Sequence, residues 1–130
     1  MIVSCNVERS VALSVPAAPD YARVARMAAA TLAAAADFGV DDVEDVRMAA
    51  EEGFVYACAT GQKSVDMTFS LEGEGLSMCF SLGEDLDALD DESLDLVEAL
   101  LDAICADFGI DEEGDALVLE LRAGGVHGEQ

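Results

Sequence analysis

Positive charge is scarce in this chain: six lysines and arginines stand against 28 aspartates and glutamates, a net charge of −22. That balance argues against a nucleic-acid backbone or an anionic membrane surface as partner, because both would repel it. A basic protein partner is compatible. Tryptophan is absent, and two tyrosines and five phenylalanines are the only aromatics. The core must therefore come from Leu, Val, Ala, Met and a few Phe. Long apolar runs are also missing. The longest, Met27 to Ala36, is too short to span a bilayer. Met1 to Asn6 lacks the basic and apolar regions of a signal peptide. A cytoplasmic location is the expectation. Four cysteines, at 5, 58, 79 and 105, form neither a CxxC nor a zinc spacing. Cys58, Cys79 and Cys105 lie in apolar runs and read as small buried hydrophobes of a reducing compartment.

What is present suits one domain: 130 residues, 52% of them hydrophobic. Ser10 to Val15 alternates, with Val11, Leu13 and Val15 on one face, and reads as a strand. Ile2 and Val3 suggest a further short one. Pro16 and Pro19 end the strand and open a helix. Tyr21, Val24, Ala28, Leu32 and Ala35 repeat at helical spacing, and Gly39 is expected as a left-handed cap. Asp41 followed by Glu44 has the spacing of a capping box for a second helix. Val43, Val46, Ala50 and Ala57 would form its buried stripe, and Gly61 its end.

Two alternating runs follow, Val65-Met67-Phe69 and Leu76-Met78-Phe80-Leu82, with a turn across Glu72 to Gly75. They read as a hairpin. Leu94, Val97, Leu101, Ile104 and Phe108 predict a third helix ended by Gly109, and Ala116 to Arg122 a last strand. The order β-α-α-β-β-α-β is incompatible with a plain βαβ stack. It predicts a two-layer α/β sandwich, a mixed and mostly antiparallel sheet with three helices on one face.

Three stretches carry a resemblance. Leu13-Ser14-Val15-Pro16-Ala17-Ala18-Pro19-Asp20-Tyr21 resembles the strand-to-helix opening of the anti-sigma-factor serine kinases. These belong to the GHKL (histidine-kinase-like) ATPase superfamily. Val43-Glu44-Asp45-Val46-Arg47-Met48-Ala49-Ala50-Glu51-Glu52 is similar to that family's second helix, and Leu96 to Asp102 to its third. The agreement in order runs from about Ser10 to Arg122, so residues 1–123 are read as one such domain and 124–130 as a glycine-rich tail.

The resemblance implies ATP and Mg²⁺ as cofactors, with a glutamate acting as general base on a serine hydroxyl. An asparagine one helical turn later would hold the metal. An aspartate after the hairpin would read adenine, and glycines before the third helix would cradle the phosphates. Carried onto this chain, Glu52 falls at the general-base position. The other positions are substituted. Tyr56 replaces the asparagine, Leu82 the adenine-reading aspartate, and Asp91 and Ser93 the phosphate glycines, while Gly83 alone follows Leu82. A phenol is a poor ligand for a hard cation. A carboxylate about 4 Å from a phosphate costs roughly 4 kcal/mol at intermediate dielectric. ATP binding is therefore expected to be weak or lost, with no metal ligand among these residues.

Taken without the resemblance, Glu52 reads as a solvated helix residue beside Glu51, and Tyr56 as a packing residue. His127 has no catalytic constellation around it. Asp85, Asp87, Asp90, Asp91 and Glu92 do not match a calcium loop and read as a solvated acidic connection. Asp111 to Asp115 reads as a turn. Two functions are implied. The first is an anti-sigma-factor-like regulatory module that binds a sigma factor or an anti-sigma antagonist as a homodimer packed through its first strand and helix. The second is an active serine protein kinase resting on Glu52. A third reading keeps the fold without the sigma-factor biology.

Overall fold

A computed structural model describes residues 10–36, 38–73, 75–85, 91–111 and 115–122, with the side chains at 72 and 91–94 outside that description. The expected Ile2-Val3 strand, the tail, Cys5 and His127 lie outside the described residues. The elements run β1 (Ser10–Pro16), α1 (Ala22–Ala35), α2 (Val40–Cys58), β2 (Ser64–Glu72), β3 (Gly75–Ser81), α3 (Asp91–Ile104), β4 (Asp107–Ile110) and β5 (Ala116–Arg122). A single 3-10 turn, Pro19–Tyr21, leads into α1.

The strands form one open sheet in the order β1-β2-β3-β5-β4. Every pairing is antiparallel, so the sheet is not mixed. Period-two alternation sets one buried face, because cross-strand partners share a side. Val11, Phe69, Met78, Leu119 and Phe108 stand in one such row across all five strands. Leu13, Met67, Phe80, Leu117 and Ile110 form the next. The three helices lie over this face. The opposite face, with Ser14, Asp66, Thr68 and Glu120, is exposed. Phe69 and Phe80 meet at the centre of the core with ring centroids 6.4 Å apart and tilted, a favoured aromatic geometry.

Four expectations need correcting. First, β4 occupies residues that helical spacing predicts as the end of the third helix. Phe108 falls at helical spacing after Ile104, yet α3 stops at Ile104 and the Ala106 N–H donates to the Glu120 carbonyl at 2.7 Å. That bond turns the chain into the sheet, and Phe108-Gly109 becomes part of a four-residue edge strand.

Second, α1 does not bury the Tyr21-Val24-Ala28-Leu32-Ala35 stripe. It buries Ala22, Ala25, Ala29 and Ala33, each one residue on from a member of that stripe. One residue is a rotation of about 100°. The alanine face lets α1 approach α2 closely, and Tyr21 and Val24 turn outward.

Third, Gly39 is no left-handed cap. Its φ is −69°, and it is the residue just before α2. The left-handed glycines among the described residues are Gly61, at the end of α2, and Gly73, in the β2–β3 turn. Fourth, Asp41 does not cap α2. The helix begins at Val40 with no side-chain cap, so Asp41 and Asp42 sit in its first turn. They favour the positive end of the helix dipole there. Glu44 pairs with Arg47 at 3.0 Å instead.

Candidate functional site

Helix α2 carries Glu52, the candidate general base. Val46, Ala49, Ala50, Gly53, Phe54 and Ala57 fill its buried side, which fixes its rotation. Gly53 is small for a reason: a Cβ there would lie 2.6 Å from the Phe80 ring, itself fully buried. With that side locked, Glu52 and Tyr56, one turn apart, share the flank toward α3 and remain half-buried.

Their electrostatics are uniformly unfavourable to further negative charge. Burial pushes the Glu52 carboxyl above its ordinary value of 4.5, and neighbouring Glu51 adds to the rise. Burial likewise raises the Tyr56 phenol, helped by Glu98 on α3. Glu51 is partly answered by Arg26 of α1, with Nη1 3.1 Å from Oε1. The nearby negative charge and the loss of water both favour neutral groups.

The remaining candidate positions follow β3. Leu82 is buried in the core, and its N–H donates to the Asp115 carbonyl at 2.9 Å. The Gly83 N–H donates to Thr60 Oγ1 at 2.6 Å. Thr60 is fully buried at the end of α2, one turn beyond Tyr56. Its hydroxyl donates in turn to the Ala57 carbonyl at 2.7 Å, and its own carbonyl accepts from Asp85 N–H at 3.0 Å. Gln62 completes the clasp. Its Nε2 donates to the Ser81 carbonyl at 2.7 Å, and its Oε1 accepts from Ser81 Oγ at 2.9 Å. A Cβ on Gly83 would strike the Thr60 carbonyl oxygen. Glycine stands here for close backbone approach, which the sequence offered only as a fragment of a nucleotide motif.

Glu52 and Tyr56 thus stand on α2, Gly83 is tied to the end of that helix through Thr60, and Leu82 is packed in the core. Asp91 opens α3 and Ser93 follows in its first turn; their side chains lie outside the described residues. Thr60, Gln62, Ser81 and Glu98 were missed by sequence reasoning. The readable signal was Thr60 itself, a hydroxyl at the end of an apolar helix beside Gly61.

These residues do not fit a magnesium-bound nucleotide. Tyr56 presents a phenol where the resemblance would call for a metal ligand, and Leu82 a buried aliphatic side chain where it would call for an adenine acceptor. Among the described residues, no group of three or more His, Cys, Asp or Glu is arranged to hold a metal ion. No described helix is long and apolar enough to cross a membrane. Compared with known protein families and with curated proteins, the chain matches none.

Proposed function

We propose that this protein is an anti-sigma-factor-like regulatory module of histidine-kinase-like ATPase ancestry, acting in the cytoplasm by protein–protein binding rather than by phosphoryl transfer. One observation carries the reading. Tyr56 stands where the resemblance would call for a metal ligand, half-buried, and burial first and Glu98 second push its own proton affinity up. A site that resists one more negative charge is a poor seat for triphosphate. Supporting it, Leu82 is packed into the core, so its position offers adenine no acceptor. The net charge of −22 suits the basic segments of a sigma factor, steering encounter through complementary potential.

Two measurements test this. Calorimetric titration with ATP and Mg²⁺ is expected to give no saturable binding below the millimolar range; micromolar binding overturns the reading. A pull-down from host lysate is expected to recover a sigma factor or an anti-sigma antagonist, and recovery of neither counts against it.

Glu52 favours a second reading, an active serine protein kinase. A carboxyl whose proton affinity is raised by burial is tuned in the direction a general base needs. Incubation with labelled ATP and candidate antagonist proteins separates the two. Phosphoserine that forms with the wild type and vanishes in Glu52→Ala establishes the kinase.

A further inference from the structure

Strand β4 is an edge strand. It pairs with β5 along one side, and its other side meets no strand among the described residues. The Asp111 N–H donates to the Ala116 carbonyl at 3.0 Å, one step beyond the β4–β5 register. Hydrogen-bonded and non-bonded pairs alternate along an antiparallel ladder. Gly109 therefore bonds inward to Val118, while the N–H and C=O groups of Phe108 and Ile110 point out of the sheet edge. Natural edges are commonly blunted by lysine or proline; β4 has neither.

The two faces of this edge differ. Phe108 and Ile110 lie on the helix side, and Ile110 is 42% exposed. On the open side a depression of about 210 Å³ reaches Val118 between Asp107, Asp111 and Glu120. Gly109 leaves it open, since a Cβ there would meet nothing within 4 Å. None of the described residues lining it is basic, and Arg122 lies past the paired length of β4. The same negative field reaches β3: after burial, Asp111 and Glu120 push the Cys79 thiol up.

We propose that the β4 edge takes a basic, extended segment of a partner protein as a sixth strand. Main-chain bonds to Phe108 and Ile110 hold it, the mode of strand addition to an open edge. Alternate residues of an added strand fall on opposite faces. On the helix side, apolar residues of the segment cover Phe108 and Ile110. On the open side, Lys or Arg lays its stem across Gly109 toward Val118 and sets its charge beside the acids. Asp111 Oδ1 already accepts from the Asp115 N–H at 3.1 Å, so Asp107 and Glu120 do most of the selecting. A second copy fits this edge badly. Two β4 strands paired about Gly109 would set Asp107 of each opposite Asp111 of the other, and like charges directly opposite destabilise a ladder. β4 is the edge farthest from β1, so the first strand and helix stay open to a second copy. The ATPase ancestry is not needed for this binding.

The test titrates the full chain with a short fluorescent peptide of alternating Val and Lys. Physiological salt screens attraction to the overall charge beyond roughly 8 Å. Anisotropy reads affinity, and amide exchange by NMR reads the place. Binding is expected to protect the Phe108 and Ile110 amides, which exchange freely without peptide. A peptide of alternating Val and Glu, and a Val–Lys peptide with a central proline, are expected to bind at least about tenfold more weakly. Ile110→Pro removes an outward donor and no ladder bond to β5. Asp107→Lys combined with Glu120→Lys inverts the charge of the depression. Each variant is expected to weaken the Val–Lys peptide about tenfold, and the second to favour the Val–Glu peptide. Circular-dichroism melts confirm that the variants fold. The proposal fails if the Val–Lys peptide does not bind, if either folded variant binds it as tightly as the wild type, or if Phe108 and Ile110 gain no protection. It fails equally if truncation of residues 124–130 exposes amides at Phe108 and Ile110 that are protected in the free chain, which seats the tail on this edge. A dimer in sedimentation equilibrium that Ile110→Pro splits overturns it as well, by seating a second copy there.

Discussion

On one side of α2, Ala49, Ala50, Gly53, Phe54 and Ala57 are sealed against the sheet and α1. On the flank a quarter-turn away, Glu52 and Tyr56 stay half-buried with proton affinities raised by their surroundings. The first side is set by volume, where a single methyl group decides fit. The second is set by charge: burial and the neighbouring Glu51 and Glu98 hold its groups against ionisation. The contrast teaches that the two sides answer to different demands. Packing fixes where the site is; it does not require the residues of the site to be the ones present.

The comparison can be broken by substitutions that should differ greatly in cost. Phe54→Ala removes a fully buried ring and is expected to lower the unfolding free energy by about 3–5 kcal/mol, read from urea melts. Gly83→Ala drives a methyl group into the Thr60 carbonyl. Its expected cost is about 3 kcal/mol, with α2 and β3 losing amide protection together in hydrogen exchange. Thr60→Val keeps the volume but strands the Gly83 N–H, an expected loss of about 1–3 kcal/mol by the same melts. Tyr56→Phe, on the other flank, is expected to stay within about 0.5 kcal/mol of wild type. A loss as large as that of Phe54→Ala would erase the distinction between the two sides.

The smallest effect is also the most diagnostic of the charged flank. The folded-state pKa of Glu52 lies above its ordinary value of 4.5, so ionisation is less favourable folded than unfolded. The resulting penalty is fully present above the folded pKa and disappears below the unfolded one. Glu52→Gln is therefore expected to raise the melting temperature slightly at pH 7, with the gain closing as pH falls through 4.5. A gain that is independent of pH would point to packing instead. The buried thiol offers a parallel check. Cys105 is pushed up to about 12, by burial first and Asp45 second. It is expected to resist iodoacetamide at pH 8 in the folded protein and to react once unfolded.

Much of this fold was legible in the sequence because alternation is a strong signal. Val65 to Phe69 and Leu76 to Phe80 could sit only as half-buried strands, and β1 and β5 followed the same rule. What failed did so for local reasons. In α1 almost every residue is apolar, so two stripes compete, and hydrophobicity alone favours the larger side chains. Close packing against α2 selected the alanines. In β4 four residues carry too little pattern to compete with a helical spacing running through Ile104 and Phe108.

The candidate site was legible as positions but less so as chemistry. Glu52 and Tyr56 had to share a flank because four residues make a turn. That Leu82 would be sealed in the core, and that Thr60 would hold Gly83, depended on contacts between segments distant in sequence. No local pattern records them.

One row of the sheet has a practical consequence. Ser10, Ser70, Ser77 and Glu120 face each other across four adjacent strands. Three strand spacings of about 4.8 Å therefore separate the start of β1 from the last turn of the ladder in β5. A bridge of roughly six to eight residues can join Arg122 to Ser10 at ordinary extended reach. The hairpin tip at Gly73, free of neighbours within 4 Å of its virtual side chain, is then available as a new pair of termini. Residues 10–122 can thus be rewired as a circular permutant that keeps the pairings of the five described strands, and reporter groups can be attached at Gly73.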